Sequence, residues 1–229
     1  MNKNEKYFNV PVQLFSGFLQ NSTICLNNVF EFAIYEHSMK LTGTQEERFK
    51  AACKWYAVMP GNYKENAENG KKLKENTPEK SPKVGISRTM FFDFYQNEKS
   101  DFDKICLLGY LAIKSILQKK PYQKIDNKFW LARMDGKAKA VTMFDELSEI
   151  ILKYSNEYQT VKIKTELRNN WGLVTYSRYT RGFYVSFELS IDQLVFEAEN
   201  RRKSTKDKQH RQLETAALLK AMSRLNTNN

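Results

Sequence analysis

Residues 161–188 read VKIKTELRNNWGLVTYSRYTRGFYVSFE. The stretch opens with a helical period. Val161, Ile163 and Leu167, with Trp171 behind them, can share the core side of a helix over residues 160–170. Lys162, Lys164, Thr165, Arg168 and Asn169 are left for the other side. The period then changes. Residues 173–179 and 183–189 are rich in aromatic and β-branched side chains and read as two strands of a hairpin. Gly182 between them supplies the φ freedom of a tight turn, and Arg178 and Arg181 sit beside that turn. On the second strand Phe183, Val185 and Phe187 are expected to point inward, and Tyr184 and Ser186 outward. Two adjacent elements that both offer positive charge point to one surface meeting one polyanion.

The whole chain supports that direction. It has 229 residues and a formal net charge of +11. Residues 1–100 hold 14 Lys/Arg against 11 Asp/Glu, and residues 101–229 hold 23 against 15, so the excess lies mainly in the second half. Such a charge attracts polyanions, nucleic acid first and an anionic membrane second, and says nothing of fold. Apolar residues at 41% suffice for a core, and 9 Gly and 5 Pro predict a helix-rich α+β fold with few long loops. Cys25, Cys53 and Cys106 are odd in number, far apart and in apolar helical contexts, which predicts buried reduced thiols in a cytoplasmic protein. The N-terminus does not read as a signal peptide, and no apolar run reaches the roughly 20 residues of a membrane span, so no membrane association is expected.

Along the chain, residues 7–14 read as an edge strand, residues 26–41 as a helix, and Thr44-x-x-Glu47 as the capping box of a second helix ended by Pro60-Gly61. Asn62 caps a polar third helix to about residue 76, and residues 84–95 read as a strand. A polar hinge at 97–101 marks a boundary, giving an N-terminal unit over 1–97, a second over 98–190 and a basic helical extension over 191–229. The second unit runs as a helix over 102–119 capped by Asp101, a short strand over 121–125, and helices over 127–134, 142–154 and 160–170, followed by the hairpin. Ser190-x-x-Gln193 is another capping box. The run 201–211 then carries six Lys/Arg against one Asp, and residues 215–225 read as a final amphipathic helix.

In element order residues 100–190 resemble the winged-helix DNA-binding domains, a helix-turn-helix variant, with replication initiators of plasmids and phages as the nearest functional kin. The resemblance rests on that order and on the stretch quoted above, not on a residue motif. It implies that helix 160–170 enters a major groove and that the hairpin is a wing. It also implies that the N-terminal unit is a second, divergent copy, and that the chain serves replication initiation or transcription regulation in a mobile element. The extra helix at 127–134 with its DGKAKA linker departs from the minimal pattern.

The residue types fit. Arg168 and Asn169 suit bidentate reading of bases, and Lys162, Lys164 and Thr165 suit phosphates. Arg178 and Arg181 would reach a backbone or minor groove, and Arg201, Arg202, Lys203, Lys206 and Lys208 would grip phosphates without sequence preference. Each of these groups taken alone is more often a solvated surface, and Tyr176, Tyr179 and Tyr184 are more often cross-strand pairs than base-stacking platforms. Catalytic signatures are missing: no P-loop, G-x-G-x-x-G, G-x-S-x-G or H-E-x-x-H. Asp93, Asp101 and Asp103 read as a strand end and a helix cap rather than a Mg²⁺ site. The expectation is therefore a non-enzymatic protein without metal or cofactor, partnered by double-stranded DNA. The alternatives are an interaction module for a protein partner or homodimer, and an RNA-binding protein.

Overall fold

Two small antiparallel sheets, each backed by helices, organise the chain. The computed structural model describes residues 5–59, 61–178 and 182–226. The class is α+β, about 61% helical.

The first sheet pairs β1 (Tyr7–Pro11) with β2 (Lys83–Ser87), from Tyr7↔Ser87 to Pro11↔Lys83. Phe8, Val10, Val84 and Ile86 alternate inward and are buried. The strand expected over 7–14 stops at Pro11, which has no N–H to extend the ladder, and Val12–Phe15 turn into a 3-10 helix. Between the strands lie α1 (Ser22–Ser38), α2 (Gln45–Tyr56) and α3 (Tyr63–Glu75). The α1 helix begins earlier than its apolar period suggests because the Asn21 side chain accepts the Ile24 N–H. The Thr44–Glu47 capping box forms as expected, whereas the Asn62 side chain makes no capping bond at α3. The α2 helix ends at Ala57, in the left-handed region at φ 50°, before the expected stop; residue 60 lies outside the described residues.

The strand expected over 84–95 is not continuous. Ser87 accepts the Met90 N–H at 3.2 Å and starts α4 (Arg88–Gln96), which buries Phe91 and Phe94. Aromatic composition favours a strand there, but three-residue spacing of the buried rings suits a helix.

Helix α5 (Asp101–Leu117) runs through the core with Ile105, Leu107, Leu108, Leu111 and Ile113 buried. Its cap is Ser100 rather than Asp101: Ser100 Oγ accepts the Asp103 N–H and the Asp103 carboxylate accepts the Ser100 N–H, each at 3.1 Å. Then follow β3 (Tyr122–Ile125), α6 (Asn127–Met134), the single turn α7 (Glu149–Leu152), α8 (Glu157–Asn170), β4 (Val174–Tyr176) and β5 (Phe183–Ser186). The second sheet has the order β3-β5-β4, with Ile125↔Phe183 and Tyr176↔Tyr184 in register. The helix expected over 142–154 is broken. The Glu146 carboxylate takes the Thr142 and Met143 N–H groups at 2.9 and 2.8 Å, and Asp135 takes the Ser148 N–H at 2.9 Å. Side chains thus satisfy donors that a continuous helix would have paired with carbonyls. Ser186 is fully buried instead of facing out, because its hydroxyl donates to Pro121 O at 2.7 Å and accepts the Glu188 and Leu189 N–H groups.

The Ser190–Gln193 box opens α9 (Ile191–Asn226). The basic run and the segment 215–225 belong to this one helix of 36 residues, which contains no Gly or Pro to break it. Leu194 and Ala198 are buried, and every side chain from Lys203 to Ala217 is exposed. Residues 97–100 form the loop between α4 and α5, and buried side chains from Phe8 to Val185 belong to one contiguous core. Trp130 is the largest of its fully buried side chains. In urea unfolding, Trp130→Ala is expected to cost about 3–5 kcal/mol. Leu219→Ala, on the exposed end of α9, is expected to stay within about 0.5 kcal/mol.

Candidate nucleic-acid interface

Helix α8 is fixed at both ends. Asn156 accepts the Gln159 N–H at 2.9 Å, and the Leu167 carbonyl accepts the N–H groups of both Trp171 and Leu173. Thr160, Ile163 and Leu167 are buried. Val161, expected inward, is 51% exposed. At roughly 100° per residue it lies in line with Thr165 and Asn169, on the arc opposite Ile163 and Leu167. Tyr158, 72% exposed, completes that solvent-facing line.

The basic side chains flank it. Lys162 is exposed, its Nζ 4.4 Å over the Phe102 ring. Arg168 and Asn169 are exposed, and Arg168 Nη2 donates to the half-buried Thr165 Oγ1 at 3.0 Å. Lys164 lies differently. Its Nζ donates to Asn127 Oδ1 at 2.8 Å and stands 4.0 Å from the Phe183 ring and 5.5 Å from that of Trp130. Burial, and then the Arg168 charge, pull its pKa from the ordinary 10.5 to about 8. Val161, Lys164 and Arg168 line a cavity of about 370 Å³ with Asn127, Thr175, Ser177, Gly182 and Phe183.

Gly182 has φ +91°, as a tight turn requires, and a Cβ there would lie 2.5 Å from the Ile125 carbonyl oxygen. Arg181, with Tyr179 and Thr180, lies outside the described residues. Arg178 is exposed but paired: its Nη1 is 3.2 Å from Glu199 on α9, and Arg202 Nε is also 3.2 Å away. The Tyr176 hydroxyl donates to the same carboxylate at 2.8 Å. That bond first, and then Arg178 and Arg202, hold the Glu199 carboxyl below the usual range against desolvation. Tyr122 likewise donates to Glu197 at 3.1 Å. The outer face of the sheet is therefore covered by α9, and Tyr176 is engaged with it. Arg201, Lys203, Lys206 and Lys208 are exposed on α9. By helical geometry they encircle it rather than form a stripe.

The sequence reading missed Asn127, Thr175, Ser177 and Glu199. For Glu199 a signal existed: a capped helix directly after β5, carrying acids, beside outward tyrosines. For the other three there was none, since small polar residues on separate elements have no shared spacing. Among the described residues no group of three or more His, Cys, Asp or Glu side chains could hold a metal ion. Asp93 pairs with Lys99, Asp101 with Lys104, and Asp103 caps α5. The three cysteines are free and buried, and burial pushes the Cys53 and Cys106 thiols up to about 11 and about 12. No described helix is long and apolar enough to cross a membrane.

The Lys164 shift has a pH signature. Below pH 8 both folded and unfolded chains hold its proton, and the desolvation cost is fully present. Between about 8 and 10.5 the folded chain releases the proton while the unfolded chain keeps it, so stability rises with pH. Urea unfolding across this window should show the parent gaining stability relative to Lys164→Met; parallel pH profiles would remove the assignment. No family model, no curated protein and no solved structure matches the chain.

Proposed function

We propose that the chain binds duplex DNA, with residues 101–186 acting as a winged helix. The observation that carries this reading is the exposed face of α8. Lys162 and Arg168 stand on it with no carboxylate partner among the described residues, and the β4–β5 hairpin lies beside it. The order α5, β3, α6, α8, hairpin, with β5 central in its sheet, supports the comparison. An α-helix fits the major groove of B-DNA. Arg168 and Asn169 then read base edges, and Lys162 and Thr165 position the helix on phosphates. Arg178 and Arg202 become available to phosphates on release from Glu199. The basic residues of α9 add grip without sequence preference, as their distribution around the helix suits no single groove. A role in replication initiation or transcription regulation of a mobile element is analogy from fold class.

A protein-partner reading is favoured by one observation. Tyr158 and Val161, both exposed, occupy the middle of the same face. Selection from a pool of random duplexes at about 50 and 200 mM salt separates the two, because counterion release makes DNA binding fall steeply with salt. An enriched motif is expected, and no binding at low salt would transfer the face to a protein partner. Competition by A-form RNA is expected to fail, since its major groove is too narrow for α8.

Arg168→Ala is expected to cost about 1–3 kcal/mol on the selected site and relax preference at one position, while Lys206→Ala weakens all sequences alike. Glu199→Gln is expected to tighten binding and steepen the log–log salt slope by about 0.9 for each arginine that gains a phosphate.

A further inference from the structure

The cavity between α8, the start of α6 and the hairpin has an unusual inventory. It holds about 370 Å³ and is lined by Lys164, Arg168, Asn127, Thr175, Ser177 and Phe183, among others. All of these polar side chains carry donors, and no described lining residue is acidic. The nearest carboxylate in sequence, Asp126, accepts the Phe129 N–H at 2.8 Å and caps α6. Neither Lys164 nor Arg168 forms an ion pair with a described residue; Lys164 has one amide oxygen and two aromatic faces for company.

A desolvated ammonium without a counter-ion is unfavourable, and the depressed pKa of Lys164 reports that cost. The group that would relieve it is an anion with several acceptor oxygens: one for the ammonium and others for the two hydroxyls, beside the guanidinium charge. A phosphoryl group has that chemistry, and Lys and Arg are both suited to it. Aromatic walls behind the ammonium exclude water and strengthen the charge interaction. The volume falls within the range of small-ligand sites, so the pocket is not limited to a bare ion.

We infer that this pocket is a phosphate-binding site in which Lys164, Thr175 and Ser177 hold one phosphoryl group, with the Arg168 charge at its edge. Its source is either a backbone phosphate of DNA docked on α8, which rests on the proposed function, or a free phosphorylated small molecule, which does not.

The test is NMR of the full-length chain carrying ¹³Cε-labelled lysine, at constant ionic strength. The probes are inorganic phosphate, adenosine monophosphate and a short duplex from the selected pool. Binding at the pocket is expected to move the Lys164 signal saturably and raise its pKa by about one unit or more, as a nearby opposite charge does. Lys164→Met removes and so assigns the signal, and the response should be weakened several-fold in Thr175→Val and Ser177→Ala, two conservative changes at the rim. A response to the duplex that free phosphate and nucleotide do not reproduce identifies a backbone phosphate. A response to the nucleotide, with displacement by the duplex, identifies a free ligand whose site DNA shares. If the duplex binds and the Lys164 signal stays still with every probe, the pocket inference fails and the DNA reading stands. If phosphate moves Lys164 and the duplex does not bind, the DNA reading fails and the pocket stands. A Lys164 response that is unchanged in both Thr175→Val and Ser177→Ala overturns the pocket.

Discussion

The indole of Trp130 sets the spacing on which the C-terminal half of the structure depends. Its N–H donates to the Gly109 carbonyl at 3.0 Å, inside the core. Gly109 leaves it room: a Cβ there would lie 3.1 Å from the indole, 3.3 Å from Ile163 and 3.4 Å from Leu167, so a side chain would push these neighbours back. Helices α5, α6 and α8 therefore meet at one residue. The Phe183 ring stands edge-on to the same indole, with centroids 6.2 Å apart, which ties the hairpin to the three helices. Lys164 rests against Trp130 and Phe183. The cationic pocket is thus built on the wall of the core, and its geometry is as rigid as the packing behind it.

The excess positive charge is divided among three environments with different consequences. On α9 it is solvated and spread around the helix, where salt screens it. At the outer face of the sheet Glu199 gathers Tyr176, Arg178 and Arg202, so two cations there are compensated within the chain. Such exposed pairs contribute little to stability and are easily exchanged for another anion. On α8 and in the pocket the cations have no carboxylate partner among the described residues, and Lys164 is desolvated.

Much of the framework was legible in the sequence. The capping boxes at Thr44 and Ser190, the short strand at 122–125, the helix at 127–134 and the glycine turn at 182 each carry a local signal that needs no tertiary context. The failures share a cause. Residues 88–96 are aromatic enough for a strand, but Ser87 caps them as a helix. Residues 142–154 have a helical period, but the side chains of Glu146 and Asp135 claim their backbone donors. Val161 fits an inward pattern as well as Thr160 does, and only the position of α5 and α6 decides between them. Ser186 looked outward by alternation until Pro121 and the chain after β5 enclosed it.

By itself the sequence determined the α+β composition, the order of helix, strand and hairpin, and the location of the charge surplus in the second half, because period, caps and counts are local properties. The tertiary structure decided which charges are free. Lys164 and Arg178 look alike in sequence, each a cation near an aromatic. Folding places one against Phe183 and Trp130 with an amide for a partner and the other on the Glu199 carboxylate. Whether a cation is compensated depends on what lies a few ångströms away in space, and those neighbours lie 19 to 37 positions distant in one case and 21 in the other.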